Sequence, residues 1–410
     1  MPDDEPREIL IFGAGNIGRS FVGQIFSRAG YHITFADVDA ELIKNLNRRG
    51  GYEVVHRHPD GHDERLEIGP VSAVHSNDHP ALEAVLRRVP LVATSVGATI
   101  LPRVIPHLTG EARRRATEGL PPFNLILAEN IHGAGDTLRS AMMEALAETG
   151  SAGGYSATSP HGAAPGILEC SVGKMVPLIS LEARRREPTT VYAEAFNTLL
   201  VDARGWNGPP PEVPEIRLVE PIQAWVDRKL YIHNFGHAAA AYLGFQRNPE
   251  WTYIREAVQD PGVHRTVREA MATNGEALML EYPGVFTTGE ITEHIDDLLY
   301  RFASPSLGDT VFRVGRDLPR KLAPGDRIMG PLRLRLRHGQ PTDTVEEVYR
   351  AALRFTATDG SGTLFPADRE FLARLRSAEN PRSVLSNLSG IDPSSEGALL
   401  DRLAVAATGL

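Results

Sequence analysis

Residues 9–37 read ILIFGAGNIGRSFVGQIFSRAGYHITFAD, and the order of features within them decides the fold. Ile9 to Phe12 is a short apolar run with strand character. The turn Gly13-Ala14-Gly15-Asn16-Ile17-Gly18 follows. From Arg19 to Ala29 the apolar residues Phe21, Val22, Ile25, Phe26 and Ala29 share one helical face. His32 to Ala36 is a second apolar run. Strand, glycine-rich turn, helix and strand make one βαβ unit. Gly13 permits the tight turn, Gly15 lets a pyrophosphate approach the backbone, and Gly18 allows close helix–strand packing. The helix that follows offers free N–H groups and a positive dipole end to phosphates. Asp37 ends the second strand, 19 positions after Gly18. A carboxylate there accepts from ribose hydroxyls and repels a 2′-phosphate, which favours NAD over NADP. Asp39 competes for that role. The plainer alternative, a glycine turn in an unrelated α/β protein, has the three-part context against it.

Working outward, Glu41–Arg48 reads as a short helix, and Leu91–Ser95 and Asn124–Ala128 as strands buried on both faces, as a parallel sheet requires. The class is α/β, with an N-terminal doubly wound Rossmann-type domain. Thr94-Ser95-Val96-Gly97 ends a strand, which makes Ser95 and Val96 candidates to line the cofactor crevice; a simple strand-to-helix turn is the alternative. Residues 51–67 read as two strands around a Pro-Asp-Gly turn, and 150–166 as a Gly/Ser/Ala/Pro-rich loop. The run GWNGPPPEVP at 205–214 forbids a helix and marks a boundary, so the expected domains are 1–207 and 208–410. Helical spacing at 219–243, 258–280, 291–302, 343–355 and 366–376 makes the second domain mostly α-helical.

Composition narrows the partners. Among 410 residues, 43 basic against 52 acidic side chains give a net charge of −9, which disfavours nucleic acid or an anionic membrane as the main partner. One cysteine, Cys170, can form neither an internal disulfide nor a thiolate cage; it reads as a small buried hydrophobe in a reducing compartment. The start MPDDEPRE lacks the order of a secretion signal, and no run of about 18 apolar residues exists. The expected location is cytoplasmic, and the expected assembly a monomer or weak homo-oligomer. His56, His58 and His62 have a spacing that tempts a metal reading, but Arg57 and Arg65 beside them repel cations, so no metal is expected.

The segment Lys229-Leu-Tyr-Ile-His-Asn234-Phe-Gly-His237 lies in a helical stretch. At about 100° per residue, Asn234 falls about 140° and His237 about 80° round from Lys229, so the three share one broad face. Oxidising a secondary alcohol needs a base for its proton, which a lysine supplies if burial lowers its pKa. It also needs donors aimed at the developing alkoxide, which asparagine amides supply. Histidine orients a substrate hydroxyl. By spacing alone an amphipathic helix with a solvated lysine is the favoured reading.

The stretch KLYIHNFGHAAAAYLG at 229–244 resembles the signature of the polyol-specific long-chain dehydrogenases. Gly236-His237-Ala238 within it is closer to the branch acting on mannitol 1-phosphate; the mannitol 2-dehydrogenase and fructuronate reductase branches more often carry Ser-His-Ser. GAGNIGR at 13–19, FADVD at 35–39, AENIHG at 128–133, SVGKMVP at 171–177, RVGRDLPRKLAPGDRIMGPL at 313–332 and LSGIDPSSE at 388–396 extend the match nearly end to end. The resemblance implies a small-molecule polyol or sugar phosphate as substrate, NAD as cofactor, Lys229 as general base, Asn130 and Asn234 as the amide pair on the reacting oxygen, and His237 as the orienting group. Arg313, Arg316, Arg320 and Lys321 are candidate phosphate anchors, with an ion-pair network to Asp317 and Asp326 as the structural alternative. Lys174 is a weaker cationic candidate. Two features depart from the family pattern: the longer 150–166 loop, and His233 where an apolar residue is usual. A mannitol, tagaturonate or fructuronate reductase is the neighbouring reading. A non-catalytic NAD-binding sensor is the reading from another class, and the presence of Lys229, Asn130, Asn234 and His237 argues against it.

Overall fold

A computed structural model describes residues 7–129, 133–147, 164–177 and 181–405. Its described strands are β1 (Glu8–Phe12), β2 (His32–Asp37), β3 (Tyr52–Arg57), β4 (Asp63–Ile68), β5 (Val71–His75), β6 (Leu91–Thr94), β7 (Asn124–Leu127), β8 (Gly166–Ser171), β9 (Thr190–Ala193), β10 (Leu199–Asp202) and β11 (Ile216–Val219). Eight of them form one sheet in the order β11-β10-β8-β7-β6-β1-β2-β5, parallel except where β10 meets β8. Alternate residues of β1 enter different cores. Ile9 and Ile11 pack with Phe21, Ile25 and Phe26, whereas Leu10 and Phe12 pack with Leu101, Val104 and Leu108. Helices therefore cover both faces, as the uniformly apolar strands predict.

The chain winds from β1 outward through β2 to β5, then returns to the other side of β1 with β6. The order reverses between β1 and β6, and ligands of open α/β sheets bind beyond the strand ends at such a switch point. The glycine turn leaves β1 there, and Ser95-Val96-Gly97 leaves β6 there.

The chain divides into two compact units, one ending at Val226 and the other starting at Asp227. This is later than the boundary at 207/208 expected from the proline run. The reason is β11, which lies beyond the prolines yet pairs in parallel with β10, while Val213 joins the first core. The helix expected at Arg19–Ala29 is π-helical over Gly18–Gly23 and α-helical over Gln24–Arg28. The stretch expected at 219–243 is built from Ile222–Arg228, a π-helical turn Lys229–Asn234, and Phe235–Arg247. Helices at Pro261–Glu281, Thr288–Phe302, Asp343–Leu353 and Pro366–Ser377 fall where periodicity put them. Those at Met329–Arg337, Pro381–Ser389 and Gly397–Ala404 were not anticipated.

The 51–67 hairpin forms as β3 and β4; His56 within it is buried, and its Nε2 meets Gln24 Oε1 at 3.1 Å. Burial and the Lys174 charge lower its pKa to about 4. Among the described residues no group of His, Cys, Asp or Glu could hold a metal ion. Cys170 is buried, and its thiol donates to Leu127 O at 2.8 Å. The 150–166 loop lies outside the described residues as far as 163, and Gly166 opens β8. No helix among the described residues is long and apolar enough to cross a membrane.

Buried Arg115 holds the entries to β6 and β7. It pairs with Glu111 at 2.6 Å and donates to Leu86 O, Val89 O and Pro121 O at 3.0, 2.8 and 3.1 Å. Arg115→Met strips a buried carboxylate of one partner and leaves three carbonyls without this donor. We expect a loss of about 3 kcal/mol in urea unfolding. A change within about 0.5 kcal/mol would show that these bonds add nothing net.

Candidate functional site

In the first unit the glycine turn behaves as its spacing predicts. Gly13 sits at φ +95°, and a Cβ there would lie 2.6 Å from Ser95 O. A Cβ on Gly18 would run into Gly13 O and lie 2.8 Å from Ser95 Oγ. A Cβ on Gly15 would meet nothing within 4 Å. The first and third glycines are therefore filled space, and the second faces open space where a pyrophosphate can lie against the backbone. Asn16 and Ile17 beside it are half-buried.

Ala14, fully buried, has both peptide groups held by side chains. Its N–H donates to Asp37 Oδ2 at 2.6 Å, and its carbonyl accepts from Arg19 Nε at 2.6 Å. Asp37 Oδ1 also accepts from the N–H groups of Val38 and Asp39, at 2.7 and 3.0 Å. A carboxylate accepts about four bonds, so roughly one lone pair remains for a ribose hydroxyl. Asp39 is occupied elsewhere: it caps the helix Ala40–Arg49 by accepting from Glu41 and Leu42 N–H. The donor set, the open face of Gly15 and the half-buried Asp37 carboxylate fit a dinucleotide.

Ser95 Oγ bonds back to Gly13 O at 3.1 Å and joins the two loops of the switch point. Val96 and Gly97 donate their N–H groups to the two carboxylate oxygens of buried Glu129, at 2.9 and 2.8 Å. Sequence reasoning missed Glu129, although it stands inside AENIHG. Its neighbour Asn130 lies outside the described residues. Lys174, a candidate anion anchor, is buried under Phe21 and donates to Asn197 Oδ1 at 2.6 Å, a structural place.

In the second unit Lys229 and Asn234 bound the π-helical turn, and His237 follows it; all three are half-buried. The α-helical angles do not hold across this turn. A π turn bonds i to i+5, which brings Lys229 and Asn234 closer to one line than 140° allows. His233 faces inward at 6 % exposure, with its ring 5.8 Å from that of Phe302. Burial, then the charge of Arg301 and the proximity of His237, Lys229 and His294, push its pKa well below the usual value.

His237 stacks on Phe302 at 4.6 Å, and its Nε2 lies 3.2 Å from Asp309 Oδ2 without hydrogen-bond geometry. Burial, then Arg313, Arg327, Lys321 and Arg301, lower its pKa to about 3. Asp309 does not reverse this, because Arg313 already pairs with it. The ring is neutral at pH 7, and its Nε2 has no hydrogen-bond partner among the described residues.

The four anion candidates separate. Arg313 is paired with Asp309. Arg320 pairs with Asp317 at 2.5 Å and lies 3.6 Å from Asp326, the ion-pair alternative weighed from sequence. Lys321 is buried and donates to Arg316 O, while burial and the Arg327 and Arg320 charges lower its pKa to about 7. Arg316 packs over Phe312 and Phe365 at 5.7 and 5.3 Å. Asp317, between these residues, holds φ at +71°; its N–H and that of Leu318 donate to buried Asp368 at 2.9 and 2.6 Å.

A doubly wound sheet with a glycine turn at its switch point, followed by a helical unit, defines a two-domain chain of the Rossmann type. Residues 7–214 match the mannitol dehydrogenase Rossmann domain and residues 221–395 the mannitol dehydrogenase C-terminal domain, and the chain belongs to the mannitol dehydrogenase family of oxidoreductases. It is similar in structure to a D-sorbitol dehydrogenase in substrate-free form, at 14% identity over 98% of this chain and 93% of that one, with a TM-score of 0.74. It is also similar to the Pseudomonas fluorescens mannitol 2-dehydrogenase in ternary complex with NAD and D-mannitol, at 17% identity over 99% and 91%, with a TM-score of 0.72. At such identities these structures speak to the fold.

Two outcomes follow from the geometry. Asp37→Ala removes the anchor of Ala14 as well as the open lone pair. We expect about 2 kcal/mol less stability and at least tenfold weaker NADH binding by fluorescence titration. Unchanged stability would mean that the Asp37–Ala14 bond does not hold the loop.

The second concerns acid. His233, His237 and His294 all have folded pKa values below 6.5, the last pushed to about 3 by burial, Arg228 and Arg301. The unfolded chain takes up protons first, so stability is complete above about pH 6.5 and falls as pH drops toward 3. His237 and His294 each cost about 2 kcal/mol by pH 5, and His233 adds a loss of the same sign. Urea midpoints at pH 7.5 and 5.0 should differ less in His233→Leu than in the parent; an equal difference would remove His233 from the account.

Proposed function

We propose that this chain interconverts D-mannitol 1-phosphate and D-fructose 6-phosphate with NAD(H), with Lys229 as general base and no metal. The observation that carries the reading is the wide turn bounded by Lys229 and Asn234, followed by a neutral His237 whose buried Nε2 has no hydrogen-bond partner among the described residues. NAD+, held at the glycine turn and Asp37, would supply the hydride acceptor for the carbinol carbon. The chain's own residues handle the rest. Lys229, in its neutral form, takes the hydroxyl proton as the carbonyl forms. Asn234 and Asn130 donate to the oxygen on which charge develops. His237, held against Phe302, orients a neighbouring hydroxyl. Asp37 supports NAD over NADP, because its remaining lone pair suits a hydroxyl and its charge repels a phosphate.

The phosphate arm rests on Arg316. Its guanidinium has aromatic partners and no carboxylate partner among the described residues, whereas Arg313 and Arg320 are already neutralised by aspartates. That same neutralisation favours a second reading, an unphosphorylated polyol or hexuronate substrate.

NADH oxidation with fructose 6-phosphate, fructose, fructuronate and tagaturonate separates the two. The phosphorylated ketose should have the highest kcat/KM; preference for another overturns the substrate assignment. Lys229→Ala should lose about 10²- to 10⁴-fold in kcat while binding NADH normally. Arg316→Ala should raise KM for fructose 6-phosphate at least tenfold with little change in kcat. An unchanged KM moves the phosphate elsewhere.

A further inference from the structure

The π-helical turn Lys229–Asn234 poses a hydrogen-bonding problem that one residue answers. In an α-helix the N–H of Phe235 would bond to Tyr231 O, four residues back. Here it goes to Leu230 O and Ile232 O and passes over the carbonyl between them. A buried carbonyl without a donor is costly, and a turn that skipped it would revert to α-helix unless something else satisfied it. Asn274, in the helix Pro261–Glu281, supplies the donor: its Nδ2 bonds to Tyr231 O at 2.9 Å.

Asn274 is 0 % exposed and can reach because the helices pack unusually close. Met271 Sδ fills the space a Cβ on Gly236 would need. Ile291 Cγ2 fills that of Gly275, with Ile232 Cδ1 at 3.6 Å. In this apolar seam Asn274 Oδ1 has no hydrogen-bond partner among the described residues. Packing alone would favour leucine, which buries no unpaired oxygen. An amide that carries this penalty is explained by the bond its other end makes.

We propose that Asn274 is a positioning residue that holds the π turn open and thereby sets the relation of Lys229 to Asn234. It touches neither substrate nor cofactor. Without its donor the turn tightens to α-helix, Phe235 N–H returns to Tyr231 O, and every residue after the turn, Asn234 and His237 included, rotates about the helix axis relative to Lys229. The effect on turnover rests on the function proposed above, and the effect on the backbone does not.

Asn274→Leu tests both, with Asn274→Ser as a second variant should leucine not fold. Crystal structures should show Phe235 N–H on Tyr231 O. Persistence of the bond to Leu230 O in a folded variant overturns the proposal even if the parent protein turns over no polyol. In an active parent, kcat should fall at least tenfold with NADH affinity within twofold, and the pH profile of kcat should shift because the base has moved. An unchanged kcat and pH profile, or a loss of activity that merely tracks lost NADH binding and thermal stability, also overturns it.

Discussion

The peptide of Ala14 is where the first unit is tied together. Asp37 at the end of β2 holds its N–H, and Arg19 beyond the turn holds its carbonyl. Arg19 in turn reaches Thr189 O, and its own carbonyl accepts from Tyr52 in β3. With no room for a Cβ on Gly18 beside Gly13 O, the turn packs closely, and bonds from its residues and Arg19 reach β2, β3 and the end of β6. The rigidity that serves the fold also leaves one face of the turn, at Gly15, open to solvent.

The second unit is governed by desolvated charge. Arg301, Arg313, Arg327 and Lys321 crowd a region poor in water, and the histidines among them answer by staying neutral. Aspartates neutralise the cations selectively. Asp309 takes Arg313, and Asp317 takes Arg320, which leaves Arg316 with aromatic rings as partners. Lys321 escapes its own charge, donating to a backbone carbonyl while its pKa falls to about 7. A sequence that displays four cations in one stretch thus folds into a site with very few available ones.

Much of this was legible beforehand. The βαβ unit and most long helices of the second unit follow from periodicity, because period 2 and period 3.6 are local properties. The place of the domain boundary was not legible. Three prolines forbid helix but do not say on which side of them the last strand pairs, and β11 pairs backward. Nor was the burial of His56, since an alternating hairpin does not reveal what packs on either face.

The sequence by itself determined the chemistry on offer: a glycine turn with steric demands at Gly13 and Gly18, a carboxylate after β2, and a lysine, an amide and an imidazole within nine residues. These are matters of residue type and spacing along one chain. Only the tertiary structure decided how that chemistry is held. The π turn depends on Asn274, 43 positions from the carbonyl it serves. Glu129 clamps Val96 and Gly97 from 33 and 32 positions away. Buried donors and acceptors must find partners wherever the fold supplies them, and no local pattern announces a partner so distant in sequence.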